Sequence, residues 1–197
     1  MNILEFFGIH NNNGPSTSIR KVSHNYNIPF YKINKINSQQ FNKLIDIYNP
    51  DLLVSLSCPQ IIGRRVRGRF PLGCINVHGA PLPRYRGLMP GFWVLRNGES
   101  VTAVTVHDLA AKLDDGDILV QHEVLITPED TWDSLVKKTK LEGALALINA
   151  IQAIKNNSVK RKPNLESDAT YYSFPTLKDR KVFLSLGRKF FNSSFKR

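Results

Sequence analysis

The sequence has few of the features that mark secreted, metal-clustered or membrane-spanning proteins. Only two of its 197 residues are cysteines, Cys58 and Cys74, so it supports neither a disulfide framework nor a cysteine metal cluster. Both lie in apolar segments, which predicts reduced core residues. No apolar run approaches the roughly 18 residues that cross a bilayer, and the start "MNILEFFGIH" lacks the positive charge of a secretory signal. These absences predict a cytoplasmic protein with no membrane partner.

Several catalytic motifs are absent as well. The sequence has no GxGxxG, no GxxxxGK[ST] and no HExxH, so phosphate-loop nucleotide hydrolysis and zinc proteolysis have no support. Three acids do cluster in "KLDDGD", residues 112–117. Their spacing differs from that of a calcium-binding loop and no further oxygen ligands follow, so no metal is predicted.

Negative charge is scarce. Asp and Glu number 16 against 27 Lys and Arg, a formal net charge of +11. Residues 155–197 carry eleven of these bases and three acids, which is +8 of the total. Such a basic end suits a polyanion, such as nucleic acid or a phosphate-bearing substrate, but it also suits a solvated tail. Charge alone does not decide between them.

Apolar runs alternate with helical patterns in the first half of the chain. Strands are predicted for "ILEFFGI" (3–9), "IPFYKI" (28–33), "DLLVSLS" (51–57) and "GCINVH" (73–78). The runs "VTAVTVHDL" (101–109) and "DILVQHEVLI" (117–126) then read as a directly paired strand couple. This order predicts an α/β fold, with a mostly parallel sheet flanked by helices and an antiparallel extension.

The clearest helix follows the last strand. Thr127 or Asp130 is its predicted cap, and an apolar stripe that includes Leu135, Leu141 and Ile148 is its predicted buried face. We place a catalytic domain at residues 1–156 and a basic C-terminal extension at 157–197. The extension has too few apolar residues to fold alone, so it either docks on the domain or stays loose.

Two polar side chains end the predicted strand 73–78. Asn76 and His78 are two residues apart, so in a strand they face the same side. An amide that donates hydrogen bonds beside an imidazole that moves protons could stabilise an oxyanion and manage a proton. A bare Asn-x-His pair is more often a polar strand end that satisfies nearby backbone, so both interpretations remain open.

Two loops could complete such a site. The loop "GAPLPRYRG" (79–87) contains Arg84 and Arg86, which can face a carboxylate or phosphate. The turn "KLDDGD" places Asp114 seven residues after His107. A carboxylate there could face the Asn/His pair, although Asp and Gly are also the usual residues of an ordinary turn.

Taken together, "INVHGAPLPRYRG" and "VTVHDLAAKLDDGDIL" resemble the folate-dependent formyltransferases. This superfamily includes methionyl-tRNA, glycinamide ribonucleotide and sugar N-formyltransferases, and the resemblance runs from about residue 3 to residue 155. It implies a Rossmann-like formyltransferase fold. The family's first strand and helix have no counterpart before residues 3–9, so an N-terminally truncated form is expected.

The resemblance also implies roles for particular residues. Asn76, His78 and Asp114 match the catalytic trio, and His107 matches a histidine that supports the aspartate. The implied reaction moves a formyl group from 10-formyltetrahydrofolate to a primary amine. In it, the Asn76 amide and a protonated His78 stabilise the oxyanion, while Asp114 keeps His78 charged and relays the amine proton.

Substrate contacts are implied less specifically. The folate would lie against Cys58, Gln60, Ile61, Ile62, Leu113 and Asp115. Arg84 and Arg86 would form a substrate loop for a phosphate-bearing acceptor such as methionyl-tRNA or a nucleotide-linked amino sugar. Two alternatives remain: a hydrolase of the same folate, and an inactive truncated homologue that only binds folate or nucleic acid.

Overall fold

The computed structural model describes residues 19–192. The helices are α1 (Ile19–Asn25), α2 (Gln39–Tyr48), α3 (Arg64–Arg67), α4 (Pro90–Arg96), α5 (Trp132–Lys155) and α6 (Leu177–Ser185). The strands are β1 (Leu53–Leu56), β2 (Cys74–His78), β3 (Arg86–Gly87), β4 (Val101–Asp108), β5 (Ile118–Leu125) and β6 (Tyr171–Tyr172).

The described main sheet has the strand order β1-β2-β4-β5. β1 and β2 are parallel, whereas β2/β4 and β4/β5 are antiparallel. The predicted strand 3–9 lies outside the described residues. The prediction of a strand over 28–33 is wrong: this segment pairs with no described strand, and Ile28, Phe30 and Tyr31 are exposed. Its apolar content resembles that of a strand, but none of the strands that the structure describes forms a ladder with it.

Helix α5 covers one face of this sheet through small residues. Gly143, Ala146 and Ala150 face the strands, and a Cβ at Gly143 would lie 3.1 Å from Val77. The predicted apolar stripe is therefore wrong in part, because its member Leu141 is 70% exposed. Close approach of helix and sheet selects small side chains for the buried face. Within residues 19–192, no helix has the length and apolar character needed to cross a membrane.

The N-terminus of α5 is capped by Thr131. Its hydroxyl accepts from the Ser134 backbone N–H (3.1 Å), and the Ser134 hydroxyl accepts from the Thr131 N–H (3.0 Å). This reciprocal pair is a capping box. Thr127 and Asp130, the predicted caps, instead form the preceding turn, in which the Thr127 N–H donates to Asp130 (2.8 Å). Several residues that can cap a helix lie close together here, including Thr127, Asp130 and Thr131. The sequence pattern alone therefore did not identify the actual cap.

The opposite face of the sheet changes from apolar to polar along the strands. At one end, α2 and α3 cover a cluster that includes Ile45, Val66, Phe70 and Cys74. Cys74 is thus a core residue as predicted, whereas Cys58 is exposed. Beyond this cluster the same face presents polar side chains. The sheet therefore has a covered apolar end and a polar end suited to a site.

Residues 157–192 pack on a second apolar cluster, which includes Phe92 of α4 and Leu135 of α5. β6 pairs in parallel with β3, and the Phe183 ring stacks on Phe92 with centroids 5.0 Å apart. The backbone N–H of Trp132 donates to the Lys189 carbonyl (2.9 Å), which ties the extension to the start of α5. Of the two alternatives for the extension, docking holds for its described part.

Candidate active site

Four polar side chains meet at the polar end of the sheet. Asn76 on β2 lies directly opposite His107 on β4, and His78 lies two residues further along β2 on the same face. The loop between β4 and β5 brings Asp114 to both histidines. Its carboxylate lies 3.5 Å from Nδ1 of His78 and 3.6 Å from Nε2 of His107. The structure thus brings together the predicted trio and its supporting histidine.

His107 orients Asn76. Nδ1 of His107 donates to the carbonyl of Asp108 (2.9 Å), which leaves Nε2 to face Asn76 and Asp114. The amide Nδ2 of Asn76 lies 3.1 Å from that nitrogen and donates to it. One amide hydrogen of Asn76 is used in this contact. Because the amide group is planar, the direction of its second hydrogen is then fixed as well. His107 therefore contacts both Asn76 and Asp114.

Asp114 is a buried carboxylate on a constrained loop. Its φ is +50°, in the left-handed region that Asp tolerates better than most residues. Its Oδ2 accepts from the backbone N–H of Gly87 (2.9 Å). Burial raises the pKa of Asp114, but its contacts with His107, His78 and Gly87 together keep that pKa below its ordinary value. The group is therefore a carboxylate at neutral pH.

His78 is held in a neutral state. It is 6% exposed, and its Nε2 donates to the carbonyl of Tyr85 (2.8 Å). Burial lowers the pKa of His78 below its ordinary value, although Asp114 and the Tyr85 carbonyl act in the opposite direction. A neutral ring with its lone pair on Nδ1 is a proton acceptor. The resemblance implies a protonated His78, whereas burial disfavours the charged ring.

Thr105 fixes the loop that follows His78. Its hydroxyl donates to the Ala80 carbonyl (2.7 Å) and accepts from the Leu82 N–H (3.2 Å). Gln121 supports the same loop by donating to the Leu82 carbonyl (3.1 Å). The sequence analysis missed both residues. No motif marks either residue, because their places follow from the register of the sheet: Thr105 pairs with His78 and Gln121 pairs with Thr105.

Arg86 is placed differently from its prediction as a substrate-loop residue. Its side chain is fully buried, and its Nη1 lies 2.6 Å from carboxylate oxygens of both Asp115 and Glu166. Its charge is therefore matched by carboxylates of the protein itself, and no face is left for a substrate. Arg84, in contrast, is exposed and lies 3.2 Å from Glu99, so it stays a predicted substrate contact.

Comparison with known families shows which family the chain belongs to. A family model described as formyl transferase matches residues 5–151. The chain belongs to the formyl transferase family. The clustered residues Asn76, His78, His107 and Asp114 all lie within the matched range.

Curated relatives of this formyl transferase chain include two methionyl-tRNA formyltransferases. The Thermotoga maritima enzyme is 32% identical over 155 residues, which is 79% of this chain and 50% of that one. The Syntrophus aciditrophicus enzyme is 35% identical over 153 residues, which is 78% of this chain and 49% of that one. The chain thus spans about half the length of these relatives.

Solved structures confirm the predicted fold class, a Rossmann-like α/β formyl transferase fold. An N-formyltransferase from Helicobacter canadensis, in complex with folinic acid and dTDP-3-aminofucose, has a TM-score of 0.69 at 20% identity. That match covers 96% of this chain and 69% of the other. WlaRD, a sugar 3N-formyl transferase solved with dTDP and 5-N-formyl-THF, has a TM-score of 0.60 at 25% identity. This match covers 80% of this chain and 53% of the other.

The predicted cosubstrate contacts of this formyl transferase family member fall into two groups. Cys58, Ile61 and Leu113 are exposed on loops after β1 and β4. The other three side chains are engaged within the protein. Gln60 bonds to the backbone of Asn34 and Ile36, Ile62 lies in the α2/α3 cluster, and Asp115 pairs with Arg86. In the part of the chain that the structure describes, no three His, Cys, Asp or Glu residues are grouped as for a metal.

Proposed function

We propose that this protein transfers a formyl group from 10-formyltetrahydrofolate to a primary amine of a phosphate-bearing acceptor. The observation that carries the proposal is the convergence of Asn76, His78 and Asp114, oriented by His107, at the polar end of the sheet. An amide donor, a neutral imidazole and a carboxylate are the groups that acyl transfer to an amine requires.

The exposed apolar side chains fit a flat heteroaromatic cosubstrate. Ile61 is 75% exposed and Leu113 is 54% exposed, so both side chains are free to contact a bound ring. Leu113 directly precedes Asp114, so a ring lying on it would be adjacent to the candidate catalytic carboxylate. The folate supplies the activated formyl group, and these two side chains would hold its ring.

Asn76 would stabilise the charge that develops during transfer. As the amine nitrogen bonds to the formyl carbon, negative charge builds on the formyl oxygen. One Asn76 amide hydrogen is committed to His107, and the second can donate to that oxygen. A preoriented donor in a buried site is worth more than the same donor in water, because it needs no reorganisation.

Asp114 and His78 would take the proton that the amine loses. Nδ1 of His78 and Oδ2 of Asp114 lie 3.5 Å apart, so a proton released between them can be held by either group. The Tyr85 carbonyl fixes the His78 tautomer with its lone pair on Nδ1. The held proton then passes to the folate nitrogen as its bond to the formyl carbon breaks, which balances the reaction.

Positive charge near the proposed folate loop supports an anionic acceptor. A cavity of about 760 Å³ between α2 and α3 is lined by Lys43, Arg64, Arg65 and Arg69, with Asp46 as the acid among its lining residues. Gly63, directly after the loop 58–62, also borders it. Together with the exposed Arg84, these bases suit phosphate groups. The relatives named for methionyl-tRNA and the neighbours named for sugars motivate the two acceptors to test.

The test incubates the purified full chain with 10-formyltetrahydrofolate and either methionyl-tRNA or a dTDP-linked amino sugar. Mass spectrometry should detect a formylated acceptor in at least one arm, and His78→Gln should abolish it while His122→Gln does not. Folate turnover without any acceptor would instead indicate the hydrolase. Absence of turnover in every arm would refute the proposed function.

A further inference from the structure

The Asp114 loop is held from outside the matched family domain. The side-chain amide of Asn164 donates to the carbonyls of Asp114 (2.9 Å) and Gly116 (3.0 Å). Asn164 is buried and lies beyond residue 151, where the family match ends. Both amide hydrogens are therefore spent on the two residues that set the path of this loop.

Arg86 anchors Asn164 from the other side. Nη2 of Arg86 donates to the side-chain oxygen (2.7 Å) and to the backbone carbonyl (2.9 Å) of Asn164. Arg86 also starts β3, and the next residue, Gly87, donates its N–H to the Asp114 carboxylate. Asn164 thus fixes the backbone of Asp114, while β3 fixes its side chain.

The loop is tightly packed on its inner side. Gly116 already packs on the end of β4 so closely that a Cβ would lie 1.8 Å from the Asp108 carbonyl oxygen. The left-handed backbone at Asp114 carries a conformational cost. Lys162 brings Asn164 into place by exchanging two 2.8 Å backbone hydrogen bonds with Ile118 at the start of β5.

From these contacts we infer that Asn164 is a positioning residue for the reaction, because its amide holds Asp114 at the distance from His78 that proton transfer requires. The inference rests on the proposed function and extends it: the segment after the family domain sets the geometry of the site. A displacement of about 1 Å at such a site lowers turnover by up to about 100-fold.

Two substitutions separate the contacts of Asn164. Asn164→Asp has the same size and keeps the oxygen that accepts from Arg86, but it loses both hydrogens that hold the loop. Asn164→Ala loses both sets of contacts. Thr176→Ala is the matched control, because it removes the cap of α6 in the same C-terminal segment without touching the loop.

Turnover should separate positioning from general destabilisation. We expect both Asn164 variants to lose about 10- to 100-fold in kcat, with the KM for the folate changed much less. Thr176→Ala should keep the wild-type kcat below its unfolding temperature. If Asn164→Asp keeps the wild-type kcat, or if Thr176→Ala loses as much as the Asn164 variants, the inference is overturned.

A second readout does not depend on formyl transfer. The imidazole of His78 can be titrated by NMR in the wild type, in Asn164→Ala and in Thr176→Ala, with His107 as the other histidine near Asp114. Asp114 raises the pKa of His78, so a displaced Asp114 should lower it in Asn164→Ala alone. An unchanged titration overturns the inference. If the wild type shows no transferase activity but this shift occurs, the proposed function fails and the positioning role stands.

Discussion

The Asn76 amide nitrogen lies 3.1 Å from Nε2 of His107, its direct cross-strand neighbour. The other ring nitrogen of His107 is committed to a backbone carbonyl, so the direction of this hydrogen bond is set. His107 therefore orients Asn76, the proposed oxyanion donor, and His107 itself need not touch substrate.

Replacing His107 tests this relationship. We expect His107→Phe to fold, since a ring still fills the buried site, but to lose about 10-fold or more in kcat because the Asn76 amide is released. Steady-state kinetics with thermal unfolding measures both effects. The control is His122→Phe, which alters a half-buried pair with Glu142. Equal kcat values in the two variants would contradict the role of His107.

Acid should destabilise the fold through His78. Its pKa in the folded state lies below its ordinary value, so on acidification the unfolded chain takes up this proton first. The stabilisation is complete above the unfolded pKa of about 6.5 and declines below it. The pKa of Asp114 is also lowered in the folded state, so the stabilisation that this carboxylate provides is lost only below its unfolded pKa of about 3.9. Between pH 8 and pH 5, the free energy of unfolding in urea should fall more for the wild type than for His78→Gln. Equal falls in the two proteins would contradict this prediction.

Gly116 should tolerate no side chain. A Cβ there would lie 1.8 Å from a backbone oxygen, and backbone cannot move aside as a flexible side chain can. We expect Gly116→Ala to cost about 3 kcal/mol or more of unfolding free energy and to abolish activity. Gly98→Ala is the control: it meets no atom within 4 Å, so only its positive φ costs about 1 kcal/mol. If denaturant unfolding gives similar losses of unfolding free energy for Gly116→Ala and Gly98→Ala, the close packing at Gly116 is contradicted.

Arg86 should matter for stability and Arg84 for substrate. Arg86→Met removes a fully buried guanidinium that contacts Asp115 and Glu166 and leaves the buried acceptor oxygen of Asn164 without its donor, which costs about 1–3 kcal/mol of unfolding free energy. Arg84→Met should change the unfolding free energy by less than about 0.5 kcal/mol but raise the KM for a phosphate-bearing acceptor. Chemical unfolding and steady-state kinetics measure the two effects. A stability loss in Arg84→Met with a raised acceptor KM only in Arg86→Met would contradict this assignment of the two arginines.

Local pattern was enough to predict the strand ends that carry the site. Asn76 and His78 share a face because strand side chains alternate, and this follows from sequence. The presence of His107 beside Asn76 depends on which strands pair and in what register, and the resemblance implied only that His107 supports Asp114.

Burial was the information that the sequence could not provide. Arg84 and Arg86 are two residues apart in one loop, yet one is exposed and the other is enclosed by residues about 80 positions later. The neutral state of His78 has the same origin, since its pKa follows from enclosure. Asn164 and Thr105 were missed because their roles are contacts to backbone carbonyls, which leave no motif.

The central claim is that Asp114 and His78 act as one proton-accepting pair in formyl transfer. The most direct measurement is the pH dependence of tetrahydrofolate release from 10-formyltetrahydrofolate with an accepted amine, for the wild type and for Asp114→Asn, a substitution of equal size without the charge. The account predicts a rate that rises with pH through the His78 titration in the wild type, and a loss of about 100-fold or more in Asp114→Asn. Wild-type rates in Asp114→Asn would contradict it.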